Sequence, residues 1–124
     1  MNTNVPNQTR PQTGRGLVAL QVAQDAAVGT ITLMQTLPPA LRSYQDQAIR
    51  STGSVVLNLA EGAGRRGRDR ARFWQVAFGS AKEAQAAVQV VVRAGQVDKA
   101  AGEALLRILD RLAALTWGLS STGR

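Results

Sequence analysis

The sequence predicts an all-α protein, an antiparallel up-down four-helix bundle, and three observations favour this fold class. Apolar residues recur at three- and four-residue spacing along four long segments, as they do on the buried face of a helix. Proline or glycine residues separate these segments and stop a helix from continuing. The 124 residues are enough for one domain with a single core. Because the connections are short, consecutive helices are expected to lie antiparallel.

The first predicted helix runs from Leu17 to Leu37 and is apolar on two faces. These faces consist of Leu17, Leu20, Ala27, Ile31 and Met34, and of Val18, Val22, Ala26, Leu33 and Leu37. A helix that is apolar on two faces has to be buried on both. Pro38 ends this helix, because the residue before a proline avoids helical geometry, and Pro39 can open the next helix.

The second helix is predicted from Pro39 to Glu61. Its inner positions are Leu41, Tyr44, Ala48, Thr52, Val55 and Leu59. Gly62 and Gly64 are expected to supply the positive φ angles with which many helices end.

The third helix is predicted to begin with Asp69 as its cap and to end at Gly95. Its inner positions are Phe73, Ala77, Ser80, Ala84, Val88 and Val91, with a second apolar edge at Trp74, Phe78 and Ala81. Asp98 is expected to cap the fourth helix. The inner positions there are Leu105, Ile108, Leu109, Leu112, Leu115 and Leu119. The predicted organisation is a disordered polar tail at 1–16, a bundle domain at 17–119 and a polar tail at 120–124.

The charge balance indicates a partner that carries phosphate. The chain has 15 basic and 8 acidic residues, a net charge of +7, and 13 of the basic residues are arginine, whose guanidinium matches phosphate oxygens. The alternative is that the composition reflects codon bias and only makes a solvated basic surface. Cysteine and histidine are absent, which excludes disulfides, thiol nucleophiles, the usual zinc sites and imidazole catalysis. We therefore expect no enzyme activity, no cofactor and no metal.

The apolar pattern predicts a soluble, cytoplasmic protein that does not bind membranes. Residues 1–16 lack the apolar stretch of a signal peptide. The longest apolar passages are interrupted by Gln21, Gln24 and Asp25, or by Gln89, and are shorter than the ~20 residues of a membrane span. A role at a membrane surface is disfavoured because the core requires the amphipathic stripes.

The apolar surface exceeds what one small core requires, and two explanations remain open. Val18 and Val22 in the first helix, with Trp74 and Phe78 in the third, can form an interface between copies of the chain. Alternatively, the core is unusually wide and contains Trp74.

The segment after the second helix is the candidate binding site. It contains five arginines within eight residues, namely Arg65, Arg66, Arg68, Arg70 and Arg72. Glycines let a ligand approach the backbone, and the start of the third helix offers free N–H groups and the positive end of a dipole. A polar stripe continues the basic surface through Arg72, Gln75, Lys82, Gln85, Gln89 and Arg93. The alternative is a solvated loop without a ligand.

Recognition at this segment is expected to involve the phosphate backbone. Base stacking requires exposed aromatic rings, and the five aromatic residues lie mostly at inner positions. Glu61 is interpreted as the ion-pair partner of Arg50 or Arg65, because no second acid, base or metal cluster accompanies it. Gly79 and Ser80 are interpreted as permitting a close approach between helices.

Three stretches resemble a known family. They are Leu37–Pro38, the run RSTGSVVLNLAEGAGRR at 50–66, and Phe73 with AFGSAKE at 77–83. They are similar to the bacterial four-helix-bundle proteins encoded in ribosomal RNA intervening sequences. Within that family, the first helix and the arginine-rich segment look most like Avd, the accessory variability determinant of diversity-generating retroelements.

The resemblance implies a homopentamer that binds a reverse transcriptase and its RNA or DNA and supports mutagenic copying. It implies that the arginines form the contact surface, and that a set of signature residues defines the fold: Asn58, Glu61, Gly62, Gly79, Ser80 and Glu83. The alternative is an RNA- or ribosome-associated bundle without a polymerase partner.

Overall fold

Four long helices make up the structure, a computed structural model that describes the backbone of residues 4–122 and the side chains of residues 14–121. The helices are α1 (Asn4–Met34), α2 (Arg42–Ala63), α3 (Gly67–Arg93) and α4 (Lys99–Thr122), and a 3-10 turn at Pro39–Leu41 precedes α2. The described residues contain no strand. Helix α1 packs against α2 and α4, and α3 packs against the same two helices. The predicted all-α antiparallel four-helix bundle is confirmed.

The core lies between one apolar stripe from each helix. Its largest fully buried side chains include Met34, Val55, Leu59, Val88, Val91, Leu109 and Leu112. Trp74 is 2% exposed and belongs to this core. Of the two explanations for its apolar side chain, the wide core therefore applies to Trp74, and the interface between copies does not. Tyr44 was predicted at an inner position but is 37% exposed, because it lies near the first turn of α2, at an open end of the bundle.

Two helix ends agree with the prediction and two differ. Asp98 accepts a hydrogen bond from the N–H of Ala101 at 2.9 Å, and Gly95 has a φ of +69°. Helix α3, however, begins at Gly67 and has no side-chain cap, so Asp69 lies inside its first turn. Neither Gly62 nor Gly64 has the expected positive φ; among the described glycines only Gly67 and Gly95 do.

The helices extend further at both chain ends than predicted. Helical backbone begins at Asn4, whereas residues 1–16 were expected to be disordered. At the other end, α4 continues to Thr122, and Ser120 is buried with its hydroxyl donating to the carbonyl of Trp117. Extending α4 adds one backbone hydrogen bond per residue without a new nucleus, which favours the continuation at this end. Residues 1–3 and 123–124 lie outside the described part of the chain.

One segment of α1, Gly14–Met34, is long and apolar enough to cross a membrane by length and composition alone. The prediction that no segment reaches this length is therefore wrong. About two fifths of its most apolar part, 39%, is buried inside the bundle, and the core helices of soluble proteins pass the same test. Ala19, Ala23 and Ala26 in this segment are fully buried, so here the segment forms one wall of the core.

Candidate nucleic-acid interface

The arginine-rich segment lies at one end of the bundle, where α2 turns into α3. The N–H groups of Gly64 and Arg65 close the last turn of α2 by donating to the carbonyls of Glu61 and Gly62. Gly67 then starts α3 with a φ of +57°, a conformation that glycine adopts at little steric cost. We call residues 64–72 the arginine turn. Its shortness places five arginines at the ends of two helices.

Two arginines of the arginine turn are paired with carboxylates. Arg65 donates to Glu61 Oε2 from Nε at 3.0 Å and from Nη2 at 2.6 Å, and its Nη1 donates to Asp69 at 3.0 Å. Arg72 donates to the second oxygen of Asp69 at 2.8 Å. The hydrogen bond that Arg65 donates to Glu61, followed by the one that it donates to Asp69, raises the pKa of Arg65 above its ordinary value. The predicted pairing of Glu61 is confirmed, with Arg65 as its partner.

Phe73 helps to hold the same two arginines. The guanidinium carbons of Arg65 and Arg72 lie 5.0 and 5.5 Å from the centre of the Phe73 ring, within the range of a cation–π contact. Ion pairs between exposed side chains contribute little to stability, because water and salt screen them. Their consequence here is electrostatic, since Glu61 and Asp69 already balance part of the positive charge that a phosphate would attract.

Arg70 is buried, which corrects its placement on the binding surface. It is 8% exposed, its Nε donates to the carbonyl of Gly62 at 3.2 Å, and its guanidinium carbon lies 5.4 Å from the centre of the Trp74 ring. Loss of solvent on burial, and then the nearby charge of Arg66, lowers the pKa of Arg70. Arg70, Trp74, Ala77 and Ala81 follow at spacings of four, three and four residues, the inward-face signal that the sequence contained.

Arg66 and Arg68 are the arginines of this turn that remain available. Both side chains are exposed, and none of the hydrogen bonds or ion pairs among the described side chains involves them. They flank the start of α3, where the first N–H groups lack helical partners and the dipole is positive. Exposed arginines beside the free N–H groups of a helix start are a combination that favours phosphate binding.

The remaining predicted contacts are spread along α3. Lys82 is exposed and donates to Gln85 at 3.2 Å, but Gln85 is 8% exposed and does not belong to a surface stripe. Arg93 is exposed in the last turn of α3. It therefore lies roughly 39 Å from Gly67 along the helix, at a rise of 1.5 Å per residue. Arg93 cannot share a compact site with the arginine turn.

The carboxylates at this end of the bundle form ion pairs with arginines. Glu61, the one carboxylate that was considered for catalysis, is held by Arg65. No group of three or more His, Cys, Asp or Glu side chains able to hold a metal ion occurs among the described residues. The chemistry that the arginine turn offers is charge and hydrogen-bond donation.

A protein-family model, described as 23S rRNA-intervening sequence protein, matches residues 15–118. The chain belongs to this family. The match spans the arginine turn and the signature residues, so the resemblance noted from the sequence is confirmed at the level of the family. A comparison with curated proteins finds no match.

Several of the signature residues have structural roles. Asn58 donates to the backbone carbonyl of Ser54 at 2.8 Å and to its hydroxyl at 3.1 Å, and that hydroxyl lies 2.8 Å from the hydroxyl of Ser80 on α3. A Cβ atom on Gly62 would lie 2.5 Å from Trp74 Nε1, so Gly62 makes room for the indole. Gly79 was expected to permit close helix approach, but a Cβ there would meet nothing within 4 Å.

The residues predicted to form an oligomer interface fall into two groups. Trp74 and Val22 are 2% and 6% exposed, so their interface assignment is wrong because the core of a single chain already buries them. Val18 is partly exposed, and Phe78 is half-buried. Other apolar side chains are more exposed than Val18. They include Leu17, Val28, Ile31, Leu57, Val76, Val90 and Trp117.

Trp117 is a surface residue that the sequence interpretation missed. It is 57% exposed, although most aromatic residues were expected inside. The signal was its helical phase, since Trp117 does not share the three- and four-residue spacing of Leu105, Leu109 and Leu112.

Proposed function

We propose that this intervening-sequence family protein is a basic, non-catalytic accessory protein of a diversity-generating retroelement. In this role it binds the reverse transcriptase and template RNA or DNA in the cytoplasm of a bacterium, and supports mutagenic reverse transcription and retrohoming. The observation that carries the nucleic-acid part is the exposed, unpaired state of Arg66 and Arg68 beside the start of α3. The retroelement part rests on the resemblance to Avd.

The arginine turn favours contact with the phosphate backbone over base-specific recognition. Guanidinium and N–H groups form charge-assisted hydrogen bonds with phosphate oxygens whatever the base sequence is. Binding is therefore expected to weaken steeply as salt rises, because each neutralised phosphate releases counterions. The paired Arg65 and Arg72 would contribute less than Arg66 and Arg68, since Glu61 and Asp69 compete for them.

The opposite end of the bundle has a surface of different chemistry. Two adjoining clefts of about 280 and 470 Å³ share Tyr44 and Val90, and their other lining residues are mostly apolar or uncharged. Exposed apolar surface of this kind is typical of sites for protein partners. We assign the reverse transcriptase to this end, so that the bundle holds the polymerase and the template at opposite ends.

Self-association into a homopentamer is part of the proposal. It follows from the resemblance to Avd, and exposed apolar residues support it on two different surfaces. Leu17, Val28 and Ile31 lie on the solvent side of α1, while Leu57 and Val76 lie on α2 and α3. Apolar side chains this exposed in a single chain gain from burial against another copy.

The second candidate function is an RNA- or ribosome-associated bundle without a polymerase partner. The family description, which refers to 23S rRNA intervening sequences, favours it. This function needs the arginine turn but has no use for a polymerase site at the Tyr44 and Val90 end.

Co-purification separates these functions. A tagged chain is co-expressed with the reverse transcriptase of the same locus and purified with and without nuclease. We expect the polymerase to remain bound after nuclease treatment, and Val90→Glu to release it without loss of RNA. The double variant Arg66→Gln/Arg68→Gln should lose RNA by about tenfold or more, as expected for lost charge-assisted hydrogen bonds, and keep the polymerase.

The matched control removes the same charge elsewhere. Arg107→Gln/Arg111→Gln changes two exposed arginines of α4, and RNA retention should stay close to that of the unchanged protein. Equal losses from both double variants would mean that net charge alone binds RNA and would contradict the assignment to the arginine turn. RNA retention without any polymerase would support the second candidate.

A further inference from the structure

The Trp117 ring is an exposed aromatic surface near the basic end of the bundle. At 57% exposure it is the most exposed aromatic side chain among the described residues. It packs against Phe78 of α3, with ring centres 5.3 Å apart and planes tilted by 55°, at a spacing that is typical of favourable aromatic pairs. Phe78 therefore supports the indole from one side and leaves its outer surface to solvent.

Cations lie on both sides of this aromatic pair along α3. Arg68, Gln75 and Lys82 are seven residues apart, so they form one stripe with steps of about 10.5 Å, and all three are exposed. Lys82 is one turn from both Phe78 and Gln85. Phe78 contacts Trp117 of α4, and Gln85 donates a hydrogen bond to Asp110 of α4. The stripe thus follows the side of α3 that meets α4.

The order along this surface is a cation, an aromatic ring and a second cation. Arg68 lies at the arginine turn, the Trp117 and Phe78 pair lies further along, and Lys82 follows one turn after Phe78. Proteins that bind single-stranded nucleic acid stack bases on aromatic rings while cations follow the phosphates. We propose that Trp117, supported by Phe78, stacks an unpaired base of a single strand whose phosphates contact Arg68 and Lys82.

Charge favours a nucleic acid over a second copy of the chain that meets this surface through the same face. If two copies met there through the same face, the stripes of Arg68 and Lys82 would be brought together, and like charges oppose such contact. A polyanion gains from the same charges. Asp110 accepts a hydrogen bond from Gln85 at 3.4 Å, which marks the end of the basic stripe beyond Lys82.

This inference deepens the proposed nucleic-acid function and rests on it. The arginine turn supplies contacts that are independent of the bases, whereas the Trp117 site requires a base that is not paired. Single strands should therefore bind more tightly than a duplex of the same length.

The experiment compares two single-stranded probes of about 12 nucleotides, within the site sizes known for such proteins. One is oligothymidylate, and the other is an abasic strand with the same phosphates. Trp117→Ala in the full chain should weaken oligothymidylate binding by between about fivefold and 100-fold, the value of one stacked base. Abasic binding and its salt dependence should not change, and Trp117→Phe should keep most of the affinity.

Thr36→Ala, which changes an exposed side chain at the opposite end of the bundle, is the control and should leave both affinities unchanged. Circular dichroism and light scattering of each variant report fold and assembly. Equal weakening for both probes, or no weakening, would overturn the stacking site while leaving the arginine turn intact. A change in oligomeric state with Trp117→Ala would assign the ring to contact between copies instead. If the unchanged protein binds neither probe, the proposed nucleic-acid function itself fails.

Discussion

Arg68 and Arg70 are two residues apart in α3 and have different surroundings. Arg68 is exposed, whereas Arg70 is 8% exposed and donates to the carbonyl of Gly62. The hydrogen bond satisfies a carbonyl in the last turn of α2, and the Trp74 ring covers the guanidinium. Arg70 therefore supports the end of α2, whereas Arg68 is available to a ligand. The two side chains point in different directions because two residues correspond to a rotation of about 200° around a helix.

Gly62 and Gly79 also differ in their surroundings, and substitution of each by alanine should have opposite effects on stability. Gly62→Ala should lower the free energy of unfolding by about 1–3 kcal/mol, because the new Cβ would lie 2.5 Å from the buried Trp74 indole and the core would have to shift. Urea unfolding followed by circular dichroism measures the change.

Gly79→Ala is the matched control within a helix. Its Cβ would meet nothing within 4 Å, so it should raise the free energy of unfolding by about 0.5–1 kcal/mol through helix propensity. A destabilised Gly79→Ala together with a neutral Gly62→Ala would contradict this assignment. The sequence did contain a signal, because Gly62 follows Leu59 by three residues on the inner stripe of α2, whereas Gly79 is out of phase with the inner stripe of α3.

A polar contact between two serine hydroxyls joins α2 and α3. Ser54 and Ser80 are joined across the two helices at 2.8 Å, and Asn58 donates to Ser54 from one turn further along α2. Ser80 is 7% exposed, so its hydroxyl needs a partner. Apolar contacts permit small shifts along a helix, whereas this hydrogen bond is made in one register only.

A double-mutant cycle tests the register contact. Ser54→Ala and Ser80→Ala should each cost about 1 kcal/mol of stability, and the double variant should cost less than their sum by about 0.5–1.5 kcal/mol. Thermal or urea unfolding of the four proteins gives the coupling. The pair Thr32→Ala and Thr36→Ala serves as a control, because these hydroxyls bond only to carbonyls of their own segment. Additive costs at Ser54 and Ser80 would show that the contact does not couple the helices.

The helices themselves were predictable because apolar periodicity persists over many turns. The cap at Asp98 and the glycine end at Gly95 were also predictable, since each has a local chemical cause. The start of α3 was not, because Asp69 is used in ion pairs with Arg65 and Arg72 and the left-handed turn at Gly67 takes the place of a cap. Pairing of this kind depends on where α2 ends in space, which a linear pattern does not contain.

Across the whole molecule, unlike surfaces are separated by the length of the bundle. The arginine turn lies at one end, the clefts around Tyr44 and Val90 lie at the other, and exposed apolar residues lie on the sides. The position of the basic site was predictable from five arginines in eight residues. Which of them are available was not, because that depends on burial of Arg70 and on the carboxylates beside Arg65 and Arg72.

The apolar side surfaces predict how copies of the chain assemble. Val28 on α1 is 65% exposed and Leu57 on α2 is 70% exposed, and they belong to different faces. A closed ring such as a pentamer requires contact between unlike faces, whereas a two-fold dimer joins like faces. Val28→Glu and Leu57→Glu each add a charge to one face without disturbing the core, so each variant alone should be monomeric in light scattering.

Mixing the two variants decides between these symmetries. Each variant keeps the face that the other lacks, so an equimolar mixture should form a dimer of one chain of each kind and stop there, because both outer faces of that pair are blocked. Light scattering after size exclusion would show a species of twice the monomer mass. If only one variant dissociates and mixing changes nothing, the contact joins like faces, and a ring is contradicted.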